Sequence, residues 1–297
     1  MSVSRRFFLL GAVAPLLPGA DALRFSICSE TFVGMNFADA CRAARRIGYQ
    51  GIEIEPAHLG ADPAAISVER RAELRRLIEG HGLHYVGLHS FLKMPPGLHL
   101  TSPERAVREK SWDYFARLID LAADLGDRPV MVLGSSKQRA AIGGVTPADA
   151  VHTLTEGLLR MAPLAVNRGV TILVEPLAPQ LCNIINTLEE AMMVVHAVNS
   201  PAVATMFDTH NTAAEKEAPA DLVRKYLPHI RHVHLNEMDG RRPGAADYPF
   251  KIVLDALREG GYRHWISVEV FDFQPDGETV ARQALEYLLS EKTIGRR

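Results

Sequence analysis

Residues 171–175 read Thr-Ile-Leu-Val-Glu, and Pro176 follows them directly. This short apolar run of the β type ends in a carboxylate. Three later runs of the same type end in Asp208, His234 and Glu269. In a barrel of parallel strands such ends lie on one rim, where their side chains can converge on a single ion. The sequence therefore predicts that three carboxylates and one imidazole meet at one site.

The rest of the chain predicts the scaffold that holds this site. Eight β-type runs alternate with helical patterns, without a linker or a change of composition between them. The predicted strands cover residues 24–30, 51–55, 83–89, 128–133, 171–175, 202–208, 230–234 and 265–269. The predicted helices cover residues 37–47, 67–78, 103–125, 146–168, 186–199, 219–226, 250–259 and 278–289. This alternation indicates a parallel sheet of the α/β class, and eight units favour a single (β/α)8 TIM barrel. A dinucleotide-binding sheet is disfavoured, because no GxGxxG motif follows the first strand.

Composition narrows the class of partner. The 297 residues are 47% hydrophobic and 23% charged, with a formal net charge of -2. Nucleic acid and anionic membrane surfaces usually require a basic face, so neither is expected as a partner. The three cysteines, Cys28, Cys41 and Cys182, have no CxxC spacing and are interpreted as buried small hydrophobes.

The first 22 residues are predicted to be separate from the barrel, which would span residues 23–297. Arg5 and Arg6 form a twin-arginine start, an apolar run follows, and Ala20-Asp-Ala22 fits an A-x-A cleavage site. The apolar run is too short to span a membrane, so no stable membrane insertion is expected. We therefore predict a twin-arginine signal peptide and a periplasmic protein. The alternative is a disordered or anchoring N-terminus on a cytoplasmic protein.

Strand alternation predicts which side chains face the barrel interior. If Glu175 points inward, the alternation places Asp208, His234 and Glu269 inward too. The residues next to each of them in its strand then face the helices. Any one of these carboxylates could simply pair with an arginine. Together the four groups would repel one another strongly without a cation, and a divalent metal resolves this. A site rich in oxygen ligands with one imidazole favours one Mn²⁺, with Mg²⁺, Co²⁺ and Zn²⁺ as alternatives.

The same residues carry a resemblance to a known family. Its motifs are Val174-Glu-Pro176, Phe207-Asp-Thr209, His232-Val-His-Leu-Asn-Glu237 and Val268-Glu-Val-Phe271. They resemble the xylose isomerase-like sugar isomerase and epimerase superfamily over about residues 24–290, and above all its tagatose and psicose 3-epimerase branch. The resemblance implies a barrel with one divalent metal, which binds the carbonyl and adjacent hydroxyl of a sugar. It also implies that Glu175 and Glu269 exchange a proton at the carbon next to the carbonyl from opposite faces, and that the protein is a homo-oligomer.

Three positions depart from the pattern of those epimerases. A further glutamate of the family corresponds to Leu181 in this chain. The family's histidine after the aspartate corresponds to Asn211, with His210 one position earlier. Its arginine after the metal histidine corresponds to Gly240, with Arg241 next. The metal set is kept and the substrate-gripping set is not, so a plain ketohexose is not the expected substrate.

Other polar residues at strand ends and in the following loops are candidates for binding substrate. The full candidate set is His89, Lys137, Arg139, His210, Asn211, Glu237 and Arg241. His89 could instead be a satisfied histidine of the barrel interior, and Lys137 and Arg139 could lie on a solvated loop. His232, one layer below His234, is expected to support the site without being a ligand. Glu53 and Glu55 both face inward on the second strand, with Glu55 nearer the rim.

Four functions remain open from the sequence. The first is a metal-dependent isomerase or epimerase of a free or glycosidically linked sugar, acting by proton abstraction next to a carbonyl. The second is a lyase that eliminates the aglycone of 3-keto-glycosides with the same metal site. The third is the abasic-site endonuclease branch of the superfamily, which the acidic balance opposes. The fourth is a non-catalytic sugar-binding protein.

Overall fold

Eight parallel strands close into a barrel in chain order in the computed structural model, which describes residues 23–290 and Thr293. The strands are β1 Arg24–Cys28, β2 Gly51–Ile54, β3 His84–His89, β4 Val130–Leu133, β5 Thr171–Val174, β6 Val203–Asp208, β7 Ile230–Leu235 and β8 Trp265–Val268. β1 pairs with β2 on one side and with β8 on the other, and this second pairing closes the ring. The predicted (β/α)8 barrel is confirmed. The predicted signal peptide, residues 1–22, lies outside the described residues.

Helices connect the strands and cover the barrel. They are α1 Phe37–Ile47, α2 Val68–Gly80, α3 Arg105–Leu125, α4 Ser136–Arg139, α5 Pro147–Arg168, α6 Leu188–Val198, α7 Pro219–Tyr226, α8 Phe250–Glu259 and α9 Gly277–Leu288. The starts of α1, α2, α5 and α6 are fixed by N-cap side chains, each of which accepts a hydrogen bond from a backbone N–H of the first turn. These caps are Asn36, Ser67, Thr146 and Thr187. The short helix α4 lies where the sequence predicts only a polar loop.

The two faces of the strands pack into separate apolar clusters. Val132, Leu173, Ala204 and Met206 form a small cluster inside the barrel. Ile172, Val174, Phe207 and Val233 belong to the large cluster between the strands and the helices. This division confirms the predicted inward and outward alternation, and it leaves the carboxyl ends of the strands for polar groups.

Two further expectations concern the cysteines and the membrane. All three cysteines are buried free thiols, as predicted. No helix within the described part of the chain is long and apolar enough to cross a membrane.

Candidate metal centre

Four side chains meet at the carboxyl end of the barrel. Glu175 and Glu269 directly follow β5 and β8, Asp208 ends β6, and His234 lies in β7. One ligand atom from each of these residues lies within 4.8 Å of the corresponding atoms of the other three. All four residues are buried. The convergence predicted from the strand ends is therefore present in the structure.

The position of Glu175 depends on two neighbours at the end of β4. A Cβ atom on Gly134 would lie 1.7 Å from Oε2 of Glu175, so only glycine leaves room for this carboxylate. Arg139 is fully buried, and its guanidinium donates to the backbone carbonyls of Leu133 and Glu175. The prediction that Arg139 contacts substrate is therefore contradicted, because its side chain supports the backbone of the site from behind.

Crowding and burial set the charges of the centre. Burial, together with the nearby Glu269 and Asp208 carboxylates, raises the pKa of Glu175 to about 8. Burial and Glu269 raise the pKa of Asp208 to about 6. Burial acts in the same direction on Glu269, but His234 and His89 outweigh it and hold the pKa of Glu269 below its usual range. Two of the three carboxyl groups thus resist ionisation in the metal-free protein.

This arrangement fits a divalent cation. Three carboxylates and one imidazole form an oxygen-rich donor set that suits Mn²⁺, Mg²⁺ or Co²⁺ better than a structural zinc site would. A cation among the carboxylates would remove the repulsion that raises the pKa values of Glu175 and Asp208. The residues present therefore fit the metal that the sequence predicts.

Each ligand is held by a second polar group. Nε2 of His234 lies 3.1 Å from both carboxylate oxygens of Glu53, on β2. Oε1 of Glu269 lies 3.1 Å from Nδ1 of His89, whose Nε2 lies 3.0 Å from Oε2 of Glu30. His89 is therefore a buried support of Glu269, and the structure contradicts its predicted contact with substrate. Glu30 follows β1 as Glu175 follows β5, so the strand-end rule could have identified it from the sequence.

Asn211 also supports the centre. Its Nδ2 donates to Oδ2 of Asp208 at 2.6 Å and to Oε1 of Glu175 at 3.3 Å, and its Oδ1 accepts from the backbone N–H of Ala178. The amide thus ties two of the metal carboxylates together. Asn211 also lines the cavity above them, so its predicted contact with substrate remains a prediction.

Glu237 and Arg241 lie away from the ligands. The carboxylate of Glu237 accepts hydrogen bonds from the backbone N–H groups of Gly244, Ala246 and Tyr248. Arg241 is paired with Asp239 at the surface. The three bonds of the buried Glu237 shape the loop after β7 and contradict its predicted contact with substrate, whereas that of the exposed Arg241 stays a prediction.

A cavity of about 460 Å³ opens directly above the centre. Glu175 and Glu269 line its floor, and its walls include Lys93, Lys137, Gln138, His210, Leu181 and Phe271. Nζ of Lys93 lies 2.8 Å from Oε1 of Glu55. The rings of His210 and Phe271 are in contact, with their centroids 5.1 Å apart. Lys137 and His210 thus line the cavity, and their predicted contact with substrate stays a prediction. The sequence did not single out Lys93 or Phe271 for this place, although Phe271 stands only two residues after Glu269.

The fold and the site together define a (β/α)8 barrel with a cluster of three carboxylates and one imidazole at the carboxyl end of its strands. The sequence profile of the xylose isomerase-like TIM barrel family matches residues 41–291, and the chain belongs to this family.

Three proteins that are similar to this chain are epimerases by name. Fructoselysine 3-epimerase of Shigella flexneri is 24% identical over 258 residues, which cover 83% of this chain and 90% of the relative. A crystal structure of D-psicose 3-epimerase in the presence of D-fructose matches with a TM-score of 0.77 at 21% identity, covering 92% of this chain and 100% of that chain. The apo structure of 3-keto-D-glucoside 4-epimerase from E. coli matches with a TM-score of 0.77 at 17% identity, covering 90% of this chain and 99% of that chain. The protein is an enzyme of the sugar epimerase and isomerase kind.

Proposed function

We propose that this protein is a divalent-metal-dependent sugar epimerase or isomerase that moves a proton on the carbon next to a carbonyl group. The observation that carries the proposal is the convergence of Glu175, Asp208, His234 and Glu269 at one point, where Glu175 and Glu269 also line an open cavity. The names of the relatives support a sugar as the substrate.

Glu175, Asp208, His234 and Glu269 would hold the metal. A divalent ion in this place supplies Lewis acidity, which polarises a carbonyl oxygen and makes the neighbouring C–H bond more acidic. Glu269 is suited to take the proton, because His89 and His234 keep its carboxylate ionised. As the proton leaves, the electron pair of the C–H bond moves toward the carbonyl oxygen. Glu175, the second glutamate that lines the cavity, is placed to return a proton to carbon.

Metal analysis and hydrogen exchange test this proposal. The purified protein should hold about one divalent ion per chain, and His234→Ala and Asp208→Ala should lose it. Arg241→Ala is the control, because the side chain of Arg241 is exposed and pairs with Asp239 at the surface. A screen of ketoses and keto-glycosides in D₂O should show deuterium entering one carbon of the true substrate. Unchanged metal content in both ligand variants would refute the site. A metal-loaded protein that exchanges no substrate proton would instead support a sugar-binding protein.

A lyase that acts on 3-keto-glycosides is the second candidate, favoured by the mouth of the cavity. Leu181 and Phe271 are 43% and 51% exposed there and present apolar surface beside the polar floor. The cavity volume lies within the range of pockets that hold ligands larger than one sugar ring. In such a lyase the base removes the proton next to the keto group, the electron pair forms a C=C bond, and the aglycone leaves with its bonding electrons and gains a proton. A mixture of 3-keto-glycosides separates the candidates: free aglycone indicates a lyase, and an epimer of intact glycoside indicates an epimerase.

A further inference from the structure

One carboxylate lies beneath the metal centre without belonging to it. Glu53 on β2 is completely buried inside the barrel. Its Oε2 lies 2.8 Å from Nε2 of His232, both of its oxygens lie 3.1 Å from Nε2 of His234, and Sγ of Cys28 donates to Oε2 at 3.7 Å. A single buried carboxylate therefore accepts hydrogen bonds from two imidazole rings and one thiol.

We propose that Glu53 is the positioning residue that selects which nitrogen of His234 faces the metal. The inference rests on the metal centre of the proposed function. An ionised carboxylate only accepts hydrogen bonds, so Nε2 of His234 carries the hydrogen that Glu53 receives. Nδ1, which lies 3.1 Å from Oε2 of Glu269, is then the nitrogen left for an ion.

His232 completes the support from the other side. Its Nε2 donates to the same carboxylate, while its buried Nδ1 has no hydrogen-bond partner among residues 23–290. The rings of His232 and His234 pack edge to face, with their centroids 5.0 Å apart. Glu53 is thus held between two donors and has little freedom to turn. His232 thus supports the centre through its bond to Glu53 and through its ring contact with His234.

The neighbouring glutamate on the same segment has a different position. Glu55 lies just beyond the end of β2 and pairs with Lys93 at the cavity wall. It belongs to the same strand face as Glu53 but contacts neither histidine in the described structure. Glu55 therefore provides a matched control of the same residue type two positions away.

The test is the metal affinity of Glu53→Gln. Glutamine keeps the size of the side chain, but it is uncharged and replaces one acceptor oxygen by an NH2 group, which can only donate. We expect Glu53→Gln to weaken Mn²⁺ binding roughly 10- to 100-fold, measured by competition with a chelating dye. Glu55→Gln should bind Mn²⁺ as the unmutated protein does. A Glu53→Gln protein that folds and binds Mn²⁺ with undiminished affinity would overturn the inference.

A second measurement needs no variant. In the unmutated protein loaded with diamagnetic Zn²⁺ and labelled with ¹⁵N-histidine, the NMR spectrum should show the ring hydrogen of His234 on Nε2, protected from exchange with water. A hydrogen on Nδ1 would overturn the inference even if Glu53→Gln fails to fold. If the unmutated protein binds no divalent ion, the metal centre of the proposed function fails, and this inference falls with it. Binding that is insensitive to Glu53 removes only the inference.

Discussion

Glu175 and Glu269 carry the same side chain in opposite surroundings. Glu269 lies between two histidines that favour its ionised form, whereas Glu175 faces two other carboxylates and resists ionisation. The sequence could not rank them, because the strand-end pattern is the same for both. The difference arises first from His234, whose Nδ1 lies 3.1 Å from Oε2 of Glu269, and then from His89, which reaches Glu269 from β3, 180 positions away in the chain.

Replacing either glutamate by glutamine should separate metal binding from turnover. Glu175→Gln and Glu269→Gln keep one coordinating oxygen, so each should retain much of the metal, but each should lose turnover by roughly 100-fold or more because the acid–base group is gone. In an epimerase both losses should occur. In an isomerase or lyase, one variant should keep deuterium exchange into substrate from D₂O, and we expect that variant to be Glu175→Gln. Turnover near that of the unmutated protein in both variants, with metal bound, would contradict the mechanism.

The stability of the metal-free protein should fall as the pH rises from about 6.5 to about 8, above the range in which the histidines of lowered pKa, such as His232 and His264, exchange protons. Unfolded Asp and Glu release their protons near pH 4, whereas folded Asp208 and Glu175 hold theirs to about 6 and about 8. In this window the folded state binds more protons than the unfolded state, so the free energy of unfolding decreases with pH. Above pH 6.5, His89 and His234 act in the same direction, because Glu30, Glu53 and Glu269 raise their pKa values despite burial.

Urea unfolding of chelator-treated protein at several pH values from about 6.5 to about 8 measures this dependence. Glu175→Gln is the matched control, because it removes the group with the widest window and should flatten the curve. Added Mn²⁺ should stabilise the protein more at pH 8 than at pH 6. At pH 6 the ion must displace protons that the ligands still hold, whereas at pH 8 the ligands have released more of them. A metal-free stability that rises across the window would contradict the assigned pKa directions.

At the scale of elements, the sequence predicts helices better than loops. The bounds of α7 and α8 are those predicted, and four N-cap residues fix the starts of other helices. These signals are local, so a sequence contains them in full. The loops after β4 and β7 were predicted less well, because Arg139 and Glu237 are held by backbone groups distant from their own local pattern. That is why two of the predicted substrate contacts are supports of the fold instead.

The packing of α5 on α3 depends on one glycine. A Cβ atom on Gly157 would lie 1.9 Å from Cζ2 of Trp112, which is itself buried. Glycine to alanine inside a helix normally gains up to about 1 kcal/mol, but overpacking of a core costs about 1–3 kcal/mol. We therefore expect Gly157→Ala to lower the free energy of unfolding. Gly80→Ala in α2 is the control, because nothing lies within 4 Å of its added Cβ, and it should be neutral or stabilising. Chemical denaturation of both variants measures the difference; a stabilised Gly157→Ala would contradict the packing argument.

At the scale of the molecule, the convergence of the four ligands follows from the topology alone. Parallel strands in chain order place their carboxyl ends on one rim, so the ligand set could be predicted once eight β/α units were recognised. The alternation of the strands also predicts that Glu53 and His232 lie inside the barrel, but it does not predict that they pair with each other. Glu53 and His232 are 179 positions apart and meet across the interior of the barrel, and no periodicity in the sequence encodes such a pair.

The N-terminal segment gives a prediction about location. A fusion of residues 1–30 to a reporter should reach the periplasm, and the double change Arg5→Lys with Arg6→Lys should block export. Cell fractionation measures both. Retention of the unmutated fusion in the cytoplasm would contradict the predicted signal. If export holds, phosphorylated sugars become poor candidates as substrates.

The residues of the centre are translated in two stages. Glu30, Glu53 and His89, which hold the ligands, are translated first, and the ligands Glu175, Asp208, His234 and Glu269 follow in the second half. Glu269 comes directly after β8, the strand that closes the ring on β1. An unfinished chain on the ribosome therefore has the supports but lacks a complete set of ligands. We expect this protein to acquire its metal only after the last strand has joined the first, so a chain truncated before β8 should be both open and metal-free.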